Sequence, residues 1–313
     1  MSSQSLMWII FVAVVSVMFV IDLWVNRHSH EIKFREALLW TTVWVSLALL
    51  FNGAVWYFLG KVKALEFFTG YVIEESLSVD NLFVFIMIFS YFKVSRAHQP
   101  KILKWGILGA LVMRAVFIVM GIGLMEKFHW MVYLFGGILV VTGIKMCFGG
   151  DDEIEPEKNL LVRLVRTRFP VTKRQHGDRF FVRRNGVTAV TPLFLTLLVV
   201  ESSDVIFAVD SIPAVLAVTR DPFIVYSSNV FAIMGLRSLY YLLAHVVDMF
   251  RYLKLGVSFI LAFVGVKMIV SDLYPIALHV SLGVIIGTLV LSIVVSLVAD
   301  KMHGKHGHAP KGK

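Results

Sequence analysis

Three carboxylates interrupt an otherwise apolar stretch in IEESLSVDNLFVF, residues 73–85. A second stretch of the same character, VESSDVIFAVDSIPAV at residues 200–215, also carries three. Acids inside long apolar segments are expensive in a membrane, and they usually mark a pathway or a binding site there. The interpretation of both stretches therefore depends on whether the rest of the chain spans a membrane.

The composition favours a membrane protein. Apolar residues make up 58% of the 313 residues and charged residues 16%, whereas soluble domains have about 45–50% and 25%. A soluble enzyme, a disordered chain and a nucleic-acid-binding protein are excluded as leading interpretations, although the net charge is +9. The single cysteine, Cys147, excludes an internal disulfide framework and a cysteine-based zinc site.

Membrane-spanning helices need about 20 mostly apolar residues each, and the sequence predicts nine of them in an all-α, polytopic fold. The first has neither a basic segment before it nor a small-residue cleavage site after it, so it is predicted to be retained. The predicted spans are 6–25, 37–60, 67–92, 103–125, 130–148, 188–218, 223–247, 253–271 and 276–298.

Lysine and arginine predict the orientation of these spans, because cytoplasmic loops carry an excess of both. With the N-terminus outside, 22 of the 30 basic residues fall in inside segments and 4 in outside segments. The long inside connection, 149–187, begins acidic and then becomes basic. Leu160, Leu161, Leu164 and Val165 within it predict an interfacial helix on anionic lipid. A plain solvated loop, able to dock a soluble partner, is the open alternative.

The two acidic stretches belong to a longer internal repeat. Shifting the chain by 130 residues places Glu74 on Asp204 and Asp80 on Asp210. Downstream, Arg114 matches Arg237, and Gly-Ile-Lys-Met at 143–146 matches Gly-Val-Lys-Met at 265–268. Three spans per repeat is an odd number, so the repeats would cross in opposite senses, as in many secondary transporters. The predicted units are 1–66 (two accessory helices), 67–148 (first repeat), 149–187 (cytoplasmic loop), 188–271 (inverted repeat) and 272–313 (ninth helix and basic tail).

The acids within the spans are the candidate site. Each costs about 2.5–3.5 kcal/mol at the bilayer centre. Acids and bases that merely pair to hold the bundle are one explanation, but buried pairs are poor stabilisers. Oxygen ligands suit Mg²⁺, Ca²⁺ or Mn²⁺, and a proton relay is a compatible use of the same groups. The candidates are Glu74, Asp80, Glu201, Asp204 and Asp210 as metal ligands, Asn81, Ser211 and Glu75 as secondary ligands, and Arg114, Lys145, Arg237 and Lys267 as charge-balancing cations.

Helix geometry adds a further expectation. Residues six apart lie about 240° around a helix, so Glu74 and Asp80 do not share a face. Convergence of both acids therefore predicts unwound or kinked helices. Pro213 is expected to break the sixth span beside Asp210, and Ser76 and its polar neighbours are expected to bond a loosened turn in the third.

At these residues the sequence resembles a known family. EESLSVDNLFVF at 74–85, ESSDVIFAVDSIPA at 201–214 and SNVFAIMGLRSLYYLL at 228–243 are similar to segments of the TerC family of bacterial integral membrane proteins, in particular its Alx branch. Members are linked to Mn²⁺ export across the inner membrane. The resemblance implies an inner-membrane Mn²⁺ exporter whose site uses the five metal-ligand candidates.

The chain has no GxxxxGK[ST] nucleotide-binding motif, so an ion gradient, most simply inward protons, is expected to drive export. No enzyme activity, prosthetic group or nucleic-acid partner is expected; Mn²⁺ is the predicted substrate, and protons and the lipid bilayer are the other predicted partners. A membrane scaffold or a metal or pH sensor, docking soluble proteins on the 149–187 loop, is the alternative.

Overall fold

Ten helices and one short hairpin make up the computed structural model, which describes residues 3–25, 32–148, 160–172, 177–184, 187–246, 253–274 and 276–304. The elements are α1 (Ser3–Val25), α2 (Phe34–Leu59), α3 (Lys61–Tyr91), α4 (Gln99–Lys127), α5 (Met131–Phe148), α6 (Leu160–Arg168), β1 (Phe181–Arg184), β2 (Val187–Val190), α7 (Pro192–Leu216), α8 (Pro222–Val246), α9 (Leu253–Val270) and α10 (Leu278–Gly304).

Seven of these helices are long and apolar enough to cross a membrane, namely α1, α2, α4, α5, α7, α9 and α10. Helices α3 and α8 are also long, at 31 and 25 residues, but they carry more polar side chains. The architecture is that of a nearly all-helical, multi-pass membrane protein. The count of nine spans stays a prediction, because it depends on α3 and α8.

The two polar helices lie at the centre of the bundle. Helix α3 packs on α7 and α8, and α4 packs on the same two helices from another side. Helix α2 covers α3 and α8, while α1 packs on α2 and α8 and α10 on α9 and α3. Almost every described side chain of α8 is buried or partly buried. Its polar residues are thus shielded by the more apolar outer helices.

Helices α5 and α9 make an unusually close contact through glycine. A Cβ on Gly265 would lie 2.7 Å from the Gly136 carbonyl oxygen, and a Cβ on Gly143 would lie 2.7 Å from the Ser258 carbonyl oxygen. Gly136 meets Gly265, and Gly143, which is later in α5, meets Ser258, which is earlier in α9. The two helices therefore run antiparallel. Glycine is required at these positions because the backbones leave no room for a side chain.

The predicted helix breaks are wrong. Helix α7 continues through Pro213 to Leu216, and α3 is uninterrupted from Lys61 to Tyr91. Pro213 cannot donate to the Val209 carbonyl, yet the helix continues for three residues beyond it. Ser76 donates a hydrogen bond to the Val72 carbonyl within an intact turn.

The predicted boundaries also need correction at two places. Helix α3 begins at Lys61, immediately after Gly60, whose φ of 91° lets α2 turn sharply into α3. The boundary predicted at 66 therefore falls inside a helix. Residues 188–190 belong to the hairpin strand β2 rather than to a membrane span. The acidic segment 151–157 of the long connection lies outside the described residues.

The amphipathic helix predicted in the long connection is present as α6, but its apolar stripe is divided. Val162 is fully buried and Val165 is partly buried, whereas Leu161 and Leu164 are 44% and 57% exposed. The Leu160 side chain lies outside the described part of the chain. Only half of the apolar arc thus packs on the protein.

The glycine contact between α5 and α9 generates a stability prediction. Gly265→Ala is expected to destabilise the fold by about 1–3 kcal/mol, because the new methyl group meets backbone atoms that can move only with their helix. Thermal unfolding of the detergent-solubilised protein measures the effect. Gly123→Ala in α4 is the matched control, since nothing lies within 4 Å of its Cβ position. Equal unfolding temperatures for the two variants would contradict the close contact.

Candidate cation site

Four polar side chains form a buried stripe between α3 and α7. Glu74 and Asn81 are 0% and 4% exposed on α3, and Asp204 and Ser211 are 5% and 1% exposed on α7. In each helix the two residues are seven apart, which is close to two full turns, so they share a face. The stripe brings together one residue pair from each half of the repeat predicted from the sequence.

Arg114 of α4 joins this stripe into an ion cluster. Its Nη1 donates hydrogen bonds to Glu74, to Ser211 Oγ at 3.3 Å and to Asn229 Oδ1 at 3.2 Å. Its Nη2 lies 3.8 Å from Asp204 Oδ1. Asn229 of α8 in turn donates from Nδ2 to Glu74 Oε2 at 3.0 Å. Four helices therefore meet at one guanidinium that is 2% exposed.

The Arg114 cluster is not fully satisfied. Asp204 Oδ2 and Arg114 Nε are buried and have no hydrogen-bond partner among the described residues. One guanidinium also faces two carboxylates, those of Glu74 and Asp204. A buried carboxylate oxygen without a partner is costly. The cluster thus has both a free acceptor and one more acidic group than basic group, so it can accept a further cation or a proton.

Glu201 lies one turn before Asp204 and reaches α4. Its carboxylate occupies the position where Gly109 would carry a Cβ. Glu201 is partly buried, and α4 passes close to it because that position has no side chain. This contact places a further acid of α7 against α4, the helix that carries Arg114.

The Asp210 side chain points away from the Arg114 cluster. Thr142 of α5 donates a hydrogen bond from Oγ1 to Asp210 Oδ1 at 2.9 Å, so this aspartate faces α5 rather than Arg114. Asp204 and Asp210 diverge as their six-residue spacing on an intact helix requires. Asp80, the counterpart of Asp210 in the predicted repeat, has a side chain that lies outside the described part of the structure.

Glu75 occupies a different environment on the other side of α3. It forms a hydrogen bond with Tyr71, one turn earlier on the same helix. Gly235 of α8 packs near both Glu75 and Trp44 of α2; a Cβ there would lie 3.5 Å from Glu75 Oε1. Glu75 therefore lies near α2 and α8 and makes no described contact with the Arg114 cluster.

The remaining predicted cations are dispersed. Arg237 is buried on α8 at 4% exposure, and Lys145 is exposed near the end of α5. Lys267 of α9 is partly buried and lines a cavity of about 640 Å³. Arg114 pairs with Glu74 and Asp204.

This cavity opens where α3 begins and α7 ends. Leu216 lines it and follows Ser211 by five residues, which is about 7.5 Å along a helix. Lys63 lies at the same place, 3.0 Å from both Glu66 Oε2 and Asp221 Oδ2. A water-accessible space thus approaches the Arg114 cluster from one end of the bundle, and an ion pair connects α3 to the α7–α8 turn at its edge.

A second polar contact at this end joins the α4–α5 turn to the α9–α10 turn. Asp272 Oδ2 accepts a hydrogen bond from the Tyr133 hydroxyl at 2.6 Å and lies 2.9 Å from His129 Nε2. The Tyr133 hydroxyl, followed by His129, holds the pKa of the Asp272 carboxyl below its usual range. This contact is exposed to solvent.

Asn229 is the member of the cluster that the acidic motifs did not reveal. It lies within SNVFAIMGLRSLYYLL, residues 228–243, eight residues before Arg237. A fully buried asparagine in an apolar helix needs hydrogen-bond partners. An asparagine inside an apolar segment is therefore the feature of the sequence that could have identified this residue. Analysis of charged residues alone passes over it because a neutral amide carries no charge.

No group of three or more His, Cys, Asp or Glu side chains within the described set is arranged to hold a metal ion. The set excludes the side chain of Asp80. Arg114 takes the place that a cation would have between Glu74 and Asp204.

Comparison with known proteins gives the family. The family model described as "Integral membrane protein TerC family" matches residues 59–304. The chain belongs to the TerC family. It is 48% identical over 290 residues to the "Putative membrane-bound redox modulator Alx" of Escherichia coli (strain K12), which covers 90% of each chain. It is 49% identical over 280 residues to the "Uncharacterized membrane protein STKORF319" of Myxococcus xanthus, covering 89% of this chain and 88% of that one.

A more distant relative is an "Uncharacterized membrane protein" of Rickettsia bellii, 38% identical over 278 residues, with 88% of this chain and 92% of the relative covered. No solved structure matches the chain significantly. The TerC family match begins at the end of α2 and includes α3 to α10. The buried ion cluster thus lies entirely within the part of the chain that matches the family.

The ion cluster predicts a strong coupling between Arg114 and Glu74. Arg114→Met is expected to destabilise the protein by about 3–5 kcal/mol, because it leaves two buried carboxylates without their cation. Adding Glu74→Gln to that variant should recover part of the loss, since one of the uncompensated charges is removed. Thermal unfolding of the two single variants and the double variant measures the coupling. Additive effects would show that the two side chains do not interact.

Proposed function

We propose that this TerC protein is a secondary transporter that exports a divalent cation, most simply Mn²⁺, across the bacterial inner membrane in exchange for protons. In this proposal all nine long helices span the membrane, with the N-terminus periplasmic and the C-terminus cytoplasmic. The observation that carries the proposal is the buried Arg114 cluster, in which carboxylates from α3 and α7 meet in the centre of the bundle.

The balance of charge supports a cation as the substrate. The two acidic stretches contribute five ligand candidates, and the spans contribute two buried arginines, Arg114 and Arg237. If all five acids ionise, the arginines leave three negative charges uncompensated in a region of low dielectric. A divalent cation or protons can neutralise them, and carboxylate, amide and hydroxyl oxygens suit Mn²⁺, Mg²⁺ or Ca²⁺. The choice of Mn²⁺ and of export follows the family resemblance.

The helix contacts support an inverted repeat as the transport machinery. An inverted repeat would relate α3 to α7, α4 to α8 and α5 to α9. Under this relation the α3–α8 contact corresponds to the α7–α4 contact, and both contacts occur. The α3–α7, α4–α8 and α5–α9 contacts, which map onto themselves, also occur. This correspondence is expected if a two-fold axis in the membrane plane relates the halves.

The glycine contacts support the same relation at single residues. A shift of 122 residues carries Gly136 to Ser258 and Gly143 to Gly265. The Gly136–Gly265 contact is thereby converted into the Ser258–Gly143 contact, and both are close. Two antiparallel helices that cross on a two-fold axis must show such a pair of contacts.

Arg114 has a specific role in this mechanism. In the structure described it pairs with both Glu74 and Asp204, and an incoming divalent cation competes with it for these carboxylates. Release follows when protons from the outside neutralise the acids. The proton gradient is needed as a driving force, because export of two positive charges against an inside-negative potential costs roughly 4.6 kcal/mol per 100 mV. The cavity next to Leu216 provides aqueous access from one side.

The second candidate function is a membrane scaffold or a metal or pH sensor. The ordered α6 and hairpin on the long connection favour it, because they form a surface outside the spans. The Alx relatives are named redox modulators, and a thiol-based role of that kind would need a second thiol from elsewhere, since this chain has only Cys147. Transport by the purified protein alone separates the two candidates, because a scaffold moves no ions.

A transport assay with the purified protein in liposomes tests the proposed export of Mn²⁺. With a Mn²⁺-sensitive dye inside and an imposed pH gradient, the wild type is expected to move Mn²⁺. Asp204→Asn and Asp210→Asn should each reduce the rate to that of protein-free liposomes, because each removes a charged ligand. Asp272→Asn is the control, since it is the same substitution at an exposed site away from the cluster. Wild-type rates in both the Asp204→Asn and the Asp210→Asn variants would refute the proposal.

Gly109 allows the role of Glu201 to be tested without removing any charge. Gly109→Ala is expected to fold normally, because the atom it meets is the end of a flexible side chain that can swing away. Moving that carboxylate should lower transport by roughly tenfold to a hundredfold. Gly123→Ala, in the same helix, should leave transport unchanged. Normal transport by Gly109→Ala would exclude Glu201 from the cation pathway.

A further inference from the structure

Helix α6 lies where a membrane-crossing helix begins. Its fully buried residue, Val162, belongs to the same apolar cluster as Leu193 and Leu195, which are in the first turns of α7. Since α7 starts at Pro192, α6 is held at the level at which α7 enters the membrane. Its packing on α7 prevents it from extending far from the bilayer surface.

The other half of the apolar arc of α6 is exposed on the surface of the protein. Leu161, Leu164 and Arg168 follow the spacing i, i+3, i+7 and so share one face. Leu161 and Leu164 are 44% and 57% exposed, and Phe169, at the end of the helix, is 46% exposed. An apolar strip next to a membrane-entry point needs a partner that is itself apolar at that depth.

The described part of this region is strongly positive, whereas the acidic segment 151–157 that precedes α6 lies outside the described residues. Asp178 is the only acid in residues 160–172 and 177–184, and it lies 3.1 Å from His98. The exposed arginines on α6 and the hairpin segment are Arg163, Arg166, Arg168, Arg179 and Arg183. A partner that complements them must be anionic.

Aromatic side chains lie close to the start of α7, near α6. Phe180 contacts Trp105 of α4 and Phe194 of α7, with ring centroids 6.5 and 6.1 Å apart. Trp105 is 47% exposed and Phe181 is 49% exposed. Aromatic rings of this kind are enriched at the boundary between headgroups and acyl chains. The group therefore supports a position of α6 at that boundary.

We infer that the α6 surface, formed by Leu161, Leu164 and the arginines of α6, binds anionic phospholipid headgroups of the surrounding leaflet. Leu161 and Leu164 insert at the level of the upper acyl chains. The guanidinium groups of Arg163 and Arg168 bind phosphates, with the Arg168 stem lying along the apolar strip. Lipid fits better than a soluble partner because the bilayer is already present where α6 meets α7. This inference does not depend on transport.

Hydrogen exchange of the full-length protein in nanodiscs tests the inference. We expect amides in residues 160–168 to exchange more slowly in discs of phosphatidylcholine with phosphatidylglycerol than in phosphatidylcholine alone. The double variant Arg163→Gln and Arg168→Gln should lose roughly 25-fold of this protection, at about fivefold per basic residue near an anionic surface. Arg163→Lys with Arg168→Lys keeps both charges and should retain most of it.

Three outcomes would overturn the inference. The first is equal exchange of residues 160–168 in the two kinds of disc. The second is full protection in neutral discs after addition of inorganic phosphate or soluble glycerol phosphate, which would identify a site for a free anion. The third is protection that appears only when a soluble acidic protein is added, which would identify a protein-docking surface. None of these outcomes depends on transport, which is measured separately in liposomes.

Discussion

The ion pair between Arg114 and the carboxylates of Glu74 and Asp204 is the constraint on which the rest of the structure depends. A guanidinium that is 2% exposed and two carboxylates that are 0% and 5% exposed are stable only when they stay together. They come from α4, α3 and α7, so these helices must keep a common depth and a common rotation. Asn229 adds α8 to the same group through its contacts with Glu74 and Arg114.

This requirement explains why the polar helices are central. Helices α3 and α8 are the long helices least suited to lipid, and α2, α4, α7 and others surround them. Helix α2 was predicted to be accessory, but Trp44 lies near Gly235, which packs near Glu75. Its burial of α3 and α8 gives it a structural role, even though the TerC family match begins only at residue 59.

The close crossing of α5 and α9 differs from the Arg114 cluster because its described glycine contacts contain no charged groups. It contains backbone and glycine instead of charge, with apolar side chains such as Ile269 and Leu139 packed beside the glycines. Small residues allow such approach in membranes, where van der Waals packing replaces the hydrophobic effect between helices.

Helix positions followed largely from the sequence, because apolar length and flanking basic residues are properties of the local chain. The acids of the two motifs could also be identified there, since a charge in an apolar segment is conspicuous. The continuity of α3 and α7 was not predicted. Acids six apart need no unwinding once each has its own partner, as Asp204 and Asp210 have.

What only the tertiary structure decided is which residues meet. The sequence determined that Glu74, Asp204 and Asp210 lie within apolar helices, but it left open the rotation of each helix about its axis. That rotation turns Asp204 toward Arg114 and Asp210 toward Thr142, and it brings in Asn229, which carries no charge to reveal it. Rotation and contact depend on how several helices pack at once, and no local pattern in one segment contains that information.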